Sequence, residues 1–245
     1  MEWSDSGSIL ALRPHGETAA LVEVFTATHG RHVGILRGGA SRRRAAELQL
    51  GTKVVVIWRA RLSEHLGVFT LEAERGRAAA LKGDRLGLAG LAAICALAQR
   101  ALPERAPFQQ LQVQTETLLD LLPLTPAWPL AYLQWEMALL EALGFGLDLR
   151  NCAATGTTED LIYVSPRTGR AVSAAGAGDW SDRLLPLPGC MRGEGKATDA
   201  EILQGLEVTG HFLGRALGDD VGGLPGARER LVAALSRHSD GAKTI

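Results

Sequence analysis

Cysteine is scarce in this sequence of 245 residues, and it never occurs in closely spaced pairs. The three cysteines, Cys95, Cys152 and Cys190, are odd in number and include no Cys-x-x-Cys motif. That pattern excludes a disulfide scaffold and the usual zinc-finger spacings. The sequence also lacks an apolar run approaching the roughly 18 residues that span a bilayer, and its first residues do not form a secretory signal. We therefore expect a cytoplasmic protein that has no membrane partner.

An excess of charge of either sign is missing as well. The chain has 26 Lys and Arg against 27 Asp and Glu, a net charge of −1, which argues against a protein that coats nucleic acid with its whole surface. With 46% hydrophobic and 22% charged residues, the composition is typical of a globular protein. Lysine is rare, since Arg outnumbers Lys 22 to 4, and a GC-rich gene produces such a bias without a functional cause. Only clusters of arginine are therefore informative about phosphate binding.

Five segments of the first eighty residues alternate apolar and polar residues or are rich in β-branched residues, and turn residues separate them. They are residues 8–13, 20–27, 31–37, 53–61 and 66–74. A helix-compatible segment, residues 43–50, lies in the longer gap between the third and the fourth. Three strands, a helix and two more strands are the chain order of an OB-fold, a small five-stranded barrel that is partly open. The sequence therefore predicts an OB-fold over residues 1–80.

After residue 80 the apolar period changes to that of α-helices. Helices are predicted over residues 85–102, 107–122, 126–143, from 199 to about 217, and over 224–237, with Asp84, Thr125 and Thr198 as N-caps. From residue 146 to about 195 neither period holds, which predicts an irregular insertion. The predicted fold class is α+β, with a five-stranded barrel domain at residues 1–80 and an all-α helical domain at residues 81–245 that carries the insertion.

The strongest local signal is a cluster of glycine and arginine where the third strand leads to the helix. It consists of Arg31, Arg37, Gly38, Gly39, Arg42, Arg43 and Arg44. Paired glycines let a phosphate approach the backbone closely, and guanidinium groups match phosphate oxygens with two hydrogen bonds. Taken alone, the cluster is explained about equally well as a solvated loop of an arginine-rich protein. Its position favours DNA binding, because OB-folds bind nucleic acids across strands two and three and the loops beside them.

The distribution of charge supports the DNA-binding interpretation. Residues 1–80 have 11 Lys and Arg against 8 Asp and Glu, whereas residues 81–150 and 151–245 each have an acidic excess of two. Three further arginines are expected to help the cluster hold phosphates: Arg13, Arg59 and Arg61. Stacking platforms for bases are few, since the aromatic residues here are Trp3, Phe25, Trp58 and Phe69, and several should fill the core. Phosphate contacts should therefore dominate, with weak sequence preference and strong salt dependence.

Catalytic motifs are absent: the sequence has no P-loop, no Gly-x-Ser-x-Gly and no His-Glu-x-x-His. Glu17 and Glu64 lie near histidines, but neighbouring polar residues in β-turns produce such pairs by chance. The acidic pairs at residues 159–160 and 219–220 lack converging ligands, so solvated loops explain them better than metal sites. We expect a protein that is not an enzyme and needs no cofactor.

Several segments, taken in their order along the chain, match a known family. They are residues 9–17, 28–31, 38–42, 128–144, 152–156, 163–169, 184–188, 210–217 and 224–230. Over nearly the full length, their order and spacing resemble the RecO family of bacterial DNA repair and recombination mediators. The resemblance implies an N-terminal OB-fold, a helical domain and a zinc-finger-like insertion. It also implies binding of single- and double-stranded DNA in the nucleoid, strand annealing, and recombinase loading with RecR on DNA coated by SSB, whose C-terminal tail is a further partner.

The insertion departs from the family pattern. Many members bind zinc through two Cys-x-x-Cys pairs, whereas here Cys152 alone matches, and Thr155 stands where its partner would be. Residues 168–175 contain no cysteine, and Cys190 lies too far along the chain. Because a structural zinc ion is four-coordinate, we predict that no metal binds. The insertion should instead be held by apolar packing of Leu161, Tyr163 and Val172.

Two other functions are compatible with the sequence. The protein could be an adaptor whose barrel docks protein partners rather than DNA. A pocket for the acidic SSB tail would need cations, for which the candidates are Arg100, Arg105, Arg183 and Arg215. A hydrolase is the third possibility, and no constellation of residues supports it.

Overall fold

The computed structural model describes residues 1–218 and 223–242, with side chains up to Ser239. The chain divides into two compact units, which we call the barrel unit (Met1–Pro126) and the helical unit (Ala127–Ile245). The coarse prediction is confirmed, since a five-stranded sheet at the N-terminus is followed by a largely helical remainder. The compact barrel unit extends beyond the predicted boundary at residue 80, because two helices that follow this residue pack on the sheet.

The barrel unit is built from five strands that pair around a closed circuit. The strands are β1 (Glu2–His15), β2 (Ala19–Thr26), β3 (Gly30–Leu36), β4 (Lys53–Arg59) and β5 (Val68–Arg75). Four of the pairings are antiparallel, and a short parallel pairing of β3 with β5 closes the order β1-β2-β3-β5-β4. Alternate residues face inward because successive side chains of a strand point to opposite faces. The core consists of Ile9, Ala20, Val22, Val24, Leu36, Leu48, Val54, Val56, Trp58, Phe69 and Leu71.

Strand β1 begins six residues earlier than the sequence pattern predicts. Its first half pairs with β4, from Glu2 opposite Arg59 to Ser8 opposite Lys53, and its second half pairs with β2. The first half was missed because its residues are mostly polar and show no apolar alternation. Gly7 permits the close approach of β2 in this region, since a Cβ there would lie 2.2 Å from the carbonyl oxygen of Phe25.

Four helices complete the barrel unit: α1 (Arg42–Glu47), α2 (Arg77–Ala80), α3 (Arg85–Ala101) and α4 (Gln109–Leu121). The predicted cap of α3 is confirmed, because the Asp84 carboxylate accepts a hydrogen bond from the Gly87 amide at 2.9 Å. Helix α3 packs against β1, and α4 packs against β1 and β2. Buried Arg77 ties α4 to the barrel, since it donates to Glu116 and Asp120 of α4 and to Ser8 of β1.

The helical unit contains α5 (Trp128–Ala142), α7 (Asp199–Leu217) and α8 (Gly226–Ala242). The predicted capping box of α7 is confirmed at Thr198 and Glu201. The predicted start of α5 at residue 126 with Thr125 as its cap is wrong: the N-cap is Ala127, and the first turn contains Pro129. At the centre of the unit, fully buried Glu136 accepts hydrogen bonds from Arg228 at 2.7 Å and from Thr209.

The insertion is more regular than the sequence predicts. It contains strands β6 (Leu161–Val164), β7 (Ala171–Ser173) and β8 (Leu185–Pro186), which form a sheet in the order β7-β6-β8, and the short helix α6 (Ala174–Ala177). Strands of two to four residues are too short for an alternating pattern to be detected. Of the three residues predicted to pack the insertion, Leu161 and Val172 are buried and Tyr163 is partly buried. The segment between the last two predicted helices, residues 218–223, lies mostly outside the described residues, as does the acidic pair 219–220.

No helix in the described part of the chain is long and apolar enough to cross a membrane.

Candidate nucleic-acid interface

The cluster predicted to bind phosphate is split by the fold, and its larger part is the connection between β3 and α1. We call residues 37–44 the basic segment. Its backbone is anchored to the β1–β2 turn by a hydrogen bond from the Ala40 amide to the Thr18 carbonyl at 3.2 Å. The Ser41 side chain caps α1 by accepting from the Arg44 amide, so Arg42, Arg43 and Arg44 form the first turn of this helix. Leu48, just after α1, is buried in the barrel core and fixes the position of the helix.

The arginines of the basic segment differ in how much of their charge is neutralised. Arg37 and Arg42 are exposed, and neither has an ion-pair partner among the residues that the structure describes. Arg43 pairs with Glu47 at 3.1 Å, but its side chain stays 88% exposed. Arg44 is held more firmly, because it pairs with Glu47 at 3.4 Å and donates to the Leu71 carbonyl at 3.3 Å. Four arginines therefore share one glutamate, and three of them can turn towards an external anion.

The two glycines of the segment have different roles. Gly38 has a φ of +70°, and nothing lies within 4 Å of where its Cβ would be, so its exposed backbone is open to a ligand. Gly39 is buried, and a Cβ there would lie 2.8 Å from the Cβ of Ala20 on β2. The structure therefore leaves Gly38 as the point of close approach and uses Gly39 for packing.

Two of the predicted arginines instead hold a buried carboxylate. Glu23 on β2 is 6% exposed and accepts from Arg13, from Arg31 at 2.9 Å and from Gln99 of α3 at 2.7 Å. Arg31 also donates to the Leu102 carbonyl at 2.7 Å, and only 15% of its side chain is exposed. Helix α3 thus covers the outer face of β2 at Glu23, where the sequence predicted part of an open groove. No local signal could have shown this, because Gln99 and Leu102 lie about seventy residues further along the chain.

The remaining predicted arginines lie near the end of β4. Arg59 pairs with Glu2 at 2.8 Å and is 61% exposed. Arg61 is exposed in the β4–β5 loop and has no ion-pair partner within the described ranges. Of the four predicted aromatic residues, Trp58 and Phe69 belong to the barrel core, Phe25 is buried, and Trp3 is partly buried.

Most of the arginines considered as candidates for binding the acidic SSB tail already contact other residues of their own unit. Arg105 donates to the carbonyls of Ser63, Glu64 and His65. Arg215 donates to the carbonyls of Pro166 and Arg167, and Arg183 lies 4.9 Å from the ring centre of exposed Trp180. Arg100 is exposed near the end of α3.

The insertion brings together four positions with the spacing of two Cys-x-x-Cys pairs, but they do not fit a structural zinc ion. The Cys152 sulfur accepts from the amides of Thr155 at 3.4 Å and Ser173 at 3.2 Å, and a Cβ on Gly176 would lie 2.7 Å from it. Burial opposes ionisation of this thiol, but the hydrogen bonds from Ser173 and Thr155 outweigh burial and lower the pKa of Cys152 to about 6. One thiol, two hydroxyls and a glycine cannot supply the usual four ligands. In the described part of the chain, no cluster of three or more His, Cys, Asp or Glu could hold a metal.

Comparison with known proteins defines the class of this chain. The family model for the N-terminal part of recombination protein O matches residues 1–74, and the model for its C-terminal part matches residues 82–225. Both halves therefore place the chain among DNA recombination and repair proteins.

Individual relatives agree with the family models. DNA repair protein RecO of Cereibacter sphaeroides is 56% identical over 239 residues, which cover 97% of this chain and 100% of the relative. The proteins of the same name from Ruegeria sp. and Roseobacter denitrificans are 55% and 56% identical, with 97% of this chain and 99% of each relative covered. The chain belongs to the RecO family of DNA repair proteins, and the resemblance drawn from the sequence is confirmed.

Proposed function

We propose that this protein is a DNA-binding mediator of repair and homologous recombination. It binds single- and double-stranded DNA in the nucleoid, promotes the annealing of strands, and loads a recombinase together with RecR on SSB-coated DNA. The observation that carries the proposal is the surplus of exposed arginines on the basic segment in a member of the RecO family. The circuit β1-β2-β3-β5-β4, with a helix between β3 and β4, supports assigning the barrel as an OB-fold.

The basic segment is suited to phosphate because its free cations need not give up a strong partner. Arg37 and Arg42 have no carboxylate to release among the described residues, and the exposed pair of Arg43 with Glu47 is worth at most about 1 kcal/mol. Each phosphate that the segment binds releases condensed counterions from the DNA, so affinity should fall as salt rises. Three such contacts predict a slope of log K against log salt of about −2 on single-stranded DNA.

Annealing follows from this mode of binding without a catalytic group. Two DNA strands repel one another through their phosphates, and arginines that neutralise phosphates lower this repulsion while the base edges remain free to pair. Contacts that exchange quickly also let the product duplex leave. We therefore include in the proposal that the protein is not an enzyme.

The proposal is tested by a salt titration of DNA binding. The triple variant Arg37→Ala/Arg42→Ala/Arg43→Ala should bind a fluorescent single strand more weakly at low salt, and its salt slope should be shallower by about 2. The matched control is Arg150→Ala/Arg167→Ala/Arg170→Ala, which removes three exposed arginines from the helical unit and should keep the original slope. Equal affinities and slopes for the triple variant and the unmodified protein would mean that the basic segment does not bind DNA.

A protein adaptor is the second candidate function. It is favoured by the cover that α3 places over Glu23, which removes part of the face that OB-folds use for nucleic acid. An adaptor would retain a protein partner such as RecR or the SSB tail while retaining no DNA at low salt. A pulldown with immobilised single-stranded DNA, run beside one with each protein partner, separates the two functions.

A further inference from the structure

A cavity of about 450 Å³ opens in the barrel unit where the start of β1, the β2–β3 turn and the β4–β5 loop meet. We call it the aromatic cavity, because its lining includes Trp3, His29, His32 and Trp58, besides Ser63 and Arg105. Its volume lies within the range of sites that take small organic molecules. The phosphate contacts proposed for the basic segment make no use of it.

One lining residue lacks the hydrogen bonds that its burial demands. His32 on β3 is 4% exposed, and neither of its ring nitrogens has a hydrogen-bond partner among the residues that the structure describes. Burial is the main reason that the pKa of His32 is lowered to about 4, and the nearby charge of Arg105 adds to the effect. At neutral pH the ring therefore presents one N–H donor and one bare nitrogen acceptor. Buried polar groups of this kind are nearly always paired, so the cavity is expected to hold a polar occupant.

The other lining groups restrict the chemistry of that occupant. The Trp3 ring stacks on His29 with centroids 4.0 Å apart and meets the His32 ring edge-on at 5.1 Å. Such a cluster favours a flat, unsaturated ligand. An anionic group only accepts hydrogen bonds, so it would pair with the N–H of neutral His32 and leave the other ring nitrogen without a donor. A purely apolar ring would pair with neither nitrogen. A heteroaromatic base carries both donors and acceptors on its edge, so it can pair with whichever nitrogen it reaches.

Cations beside the cavity indicate that the base is attached to phosphate. Arg105 lines the cavity with its guanidinium held by three carbonyls, and it has no ion-pair partner among the described residues. Its charge does lower the pKa of exposed Glu64 nearby. Arg61 is exposed two residues before Ser63 of the lining and has no ion-pair partner in the ranges described.

We propose that the aromatic cavity binds one unpaired base of a DNA strand, with the base edge hydrogen-bonded to His32 and the adjoining phosphates beside Arg61 and Arg105. The proposal rests on the function proposed above, since it requires that DNA reaches the barrel. This contact depends on the base, whereas the contacts proposed for the basic segment depend only on phosphates. Because paired bases turn their edges to one another, this contact distinguishes single strands from duplexes.

The test separates base contacts from phosphate contacts by using two oligonucleotides of the same length. One is a fluorescent strand of twelve thymidines, and the other carries twelve abasic sites with the same phosphates. The unmodified protein should bind the thymidine strand more tightly. His32→Leu should weaken binding of the thymidine strand about tenfold, the worth of a hydrogen bond of about 1.4 kcal/mol, and leave binding of the abasic strand unchanged. His211→Leu, which changes an exposed histidine of α7, is the control and should leave both affinities unchanged.

A second variant tests whether an effect of His32→Leu comes from the cavity rather than from a disturbed barrel core. Ser63→Leu introduces a larger, non-aromatic side chain on an exposed loop at the lining, and it should weaken binding of the thymidine strand alone, as His32→Leu does. If the unmodified protein binds both strands equally, or if neither variant changes thymidine binding, the cavity takes no base and the basic segment acts alone. If the unmodified protein binds neither strand at low salt, the proposed function itself fails.

Discussion

Arg31 and Arg42 lie eleven positions apart in one predicted site, yet the fold gives them opposite surroundings. Arg31 is 15% exposed in its side chain, bonded to Glu23 and to the Leu102 carbonyl, and it stabilises the barrel under α3. Arg42 is exposed at the start of α1 and has no ion-pair partner among the described residues. The difference shows that a cluster of arginines in a sequence is not yet a cationic surface. What decides is whether a carboxylate from another element reaches the guanidinium.

The largest effect is expected where the bound arginines lose their counter-charge. Glu23→Gln keeps the shape of the side chain but leaves largely buried Arg31 with only a longer pairing, at 3.7 Å, to half-exposed Glu104. The free energy of unfolding should therefore fall by about 2 to 3 kcal/mol. Urea denaturation measures this change. Glu47→Gln, which removes the exposed partner of Arg43 and Arg44, is the control and should shift the midpoint far less. Equal midpoints for the two variants would contradict the contrast between the two arginines, because the ion pair of Arg31 would then contribute no more to stability than an exposed one.

A second effect, dependent on pH, is expected from the unpartnered histidine. In the unfolded chain His32 takes up a proton near its ordinary pKa of 6.5, whereas burial and Arg105 delay protonation of the folded protein to about pH 4. The unfolded state therefore binds more protons between these values, and stability should fall as the pH drops from 6.5 to 4. His32→Leu removes this contribution, so its unfolding free energy should change less over the same range. A slope as steep as that of the unmodified protein would show that His32 is solvated or partnered.

The smallest effect concerns the free arginines. Glu47→Gln removes the one acid that pairs with the basic segment in the part of the chain that the structure describes. It should strengthen binding of single-stranded DNA at low salt by about threefold, as expected for the loss of an exposed ion pair. Fluorescence anisotropy measures the change, and raising the salt should abolish it. Unchanged affinity at low salt would mean that Arg43 and Arg44 do not reach the DNA.

The sequence allowed most of the fold to be predicted where the signal is local. Alternating apolar residues located all five strands of the barrel, and side-chain caps located the start of α3 and of α7. The first half of β1 was not predicted, because its polar residues owe their strand conformation to pairing with β4. The sheet of the insertion was missed for a similar reason, since its strands are too short to show a period.

The candidate site could be predicted only in part. The basic segment is contiguous in sequence, so composition and order revealed it. The aromatic cavity is not contiguous: Trp3, His32, Trp58 and Arg105 come from distant parts of the chain and are brought together by the barrel and by the segment that follows α3. No spacing rule joins such residues. Arg31 shows the converse, because its sequence neighbours suggested a surface role while its partners lie on β2 and after α3.

The pairing that closes the barrel has a consequence for its motions. Strands β3 and β5 are joined through only two residue pairs, Ile35 with Val68 and Leu36 with Phe69. Strand β1 is instead paired along its whole length, with β4 over its first half and with β2 over its second half. Free energies of local opening follow the number of hydrogen bonds that must break together, so this seam should exchange its amide hydrogens sooner than the rest of the barrel. The basic segment begins one residue after the seam. The segment that is proposed to bind DNA therefore adjoins the strand pairing that should open most readily, while the other strand pairings of the barrel should stay closed.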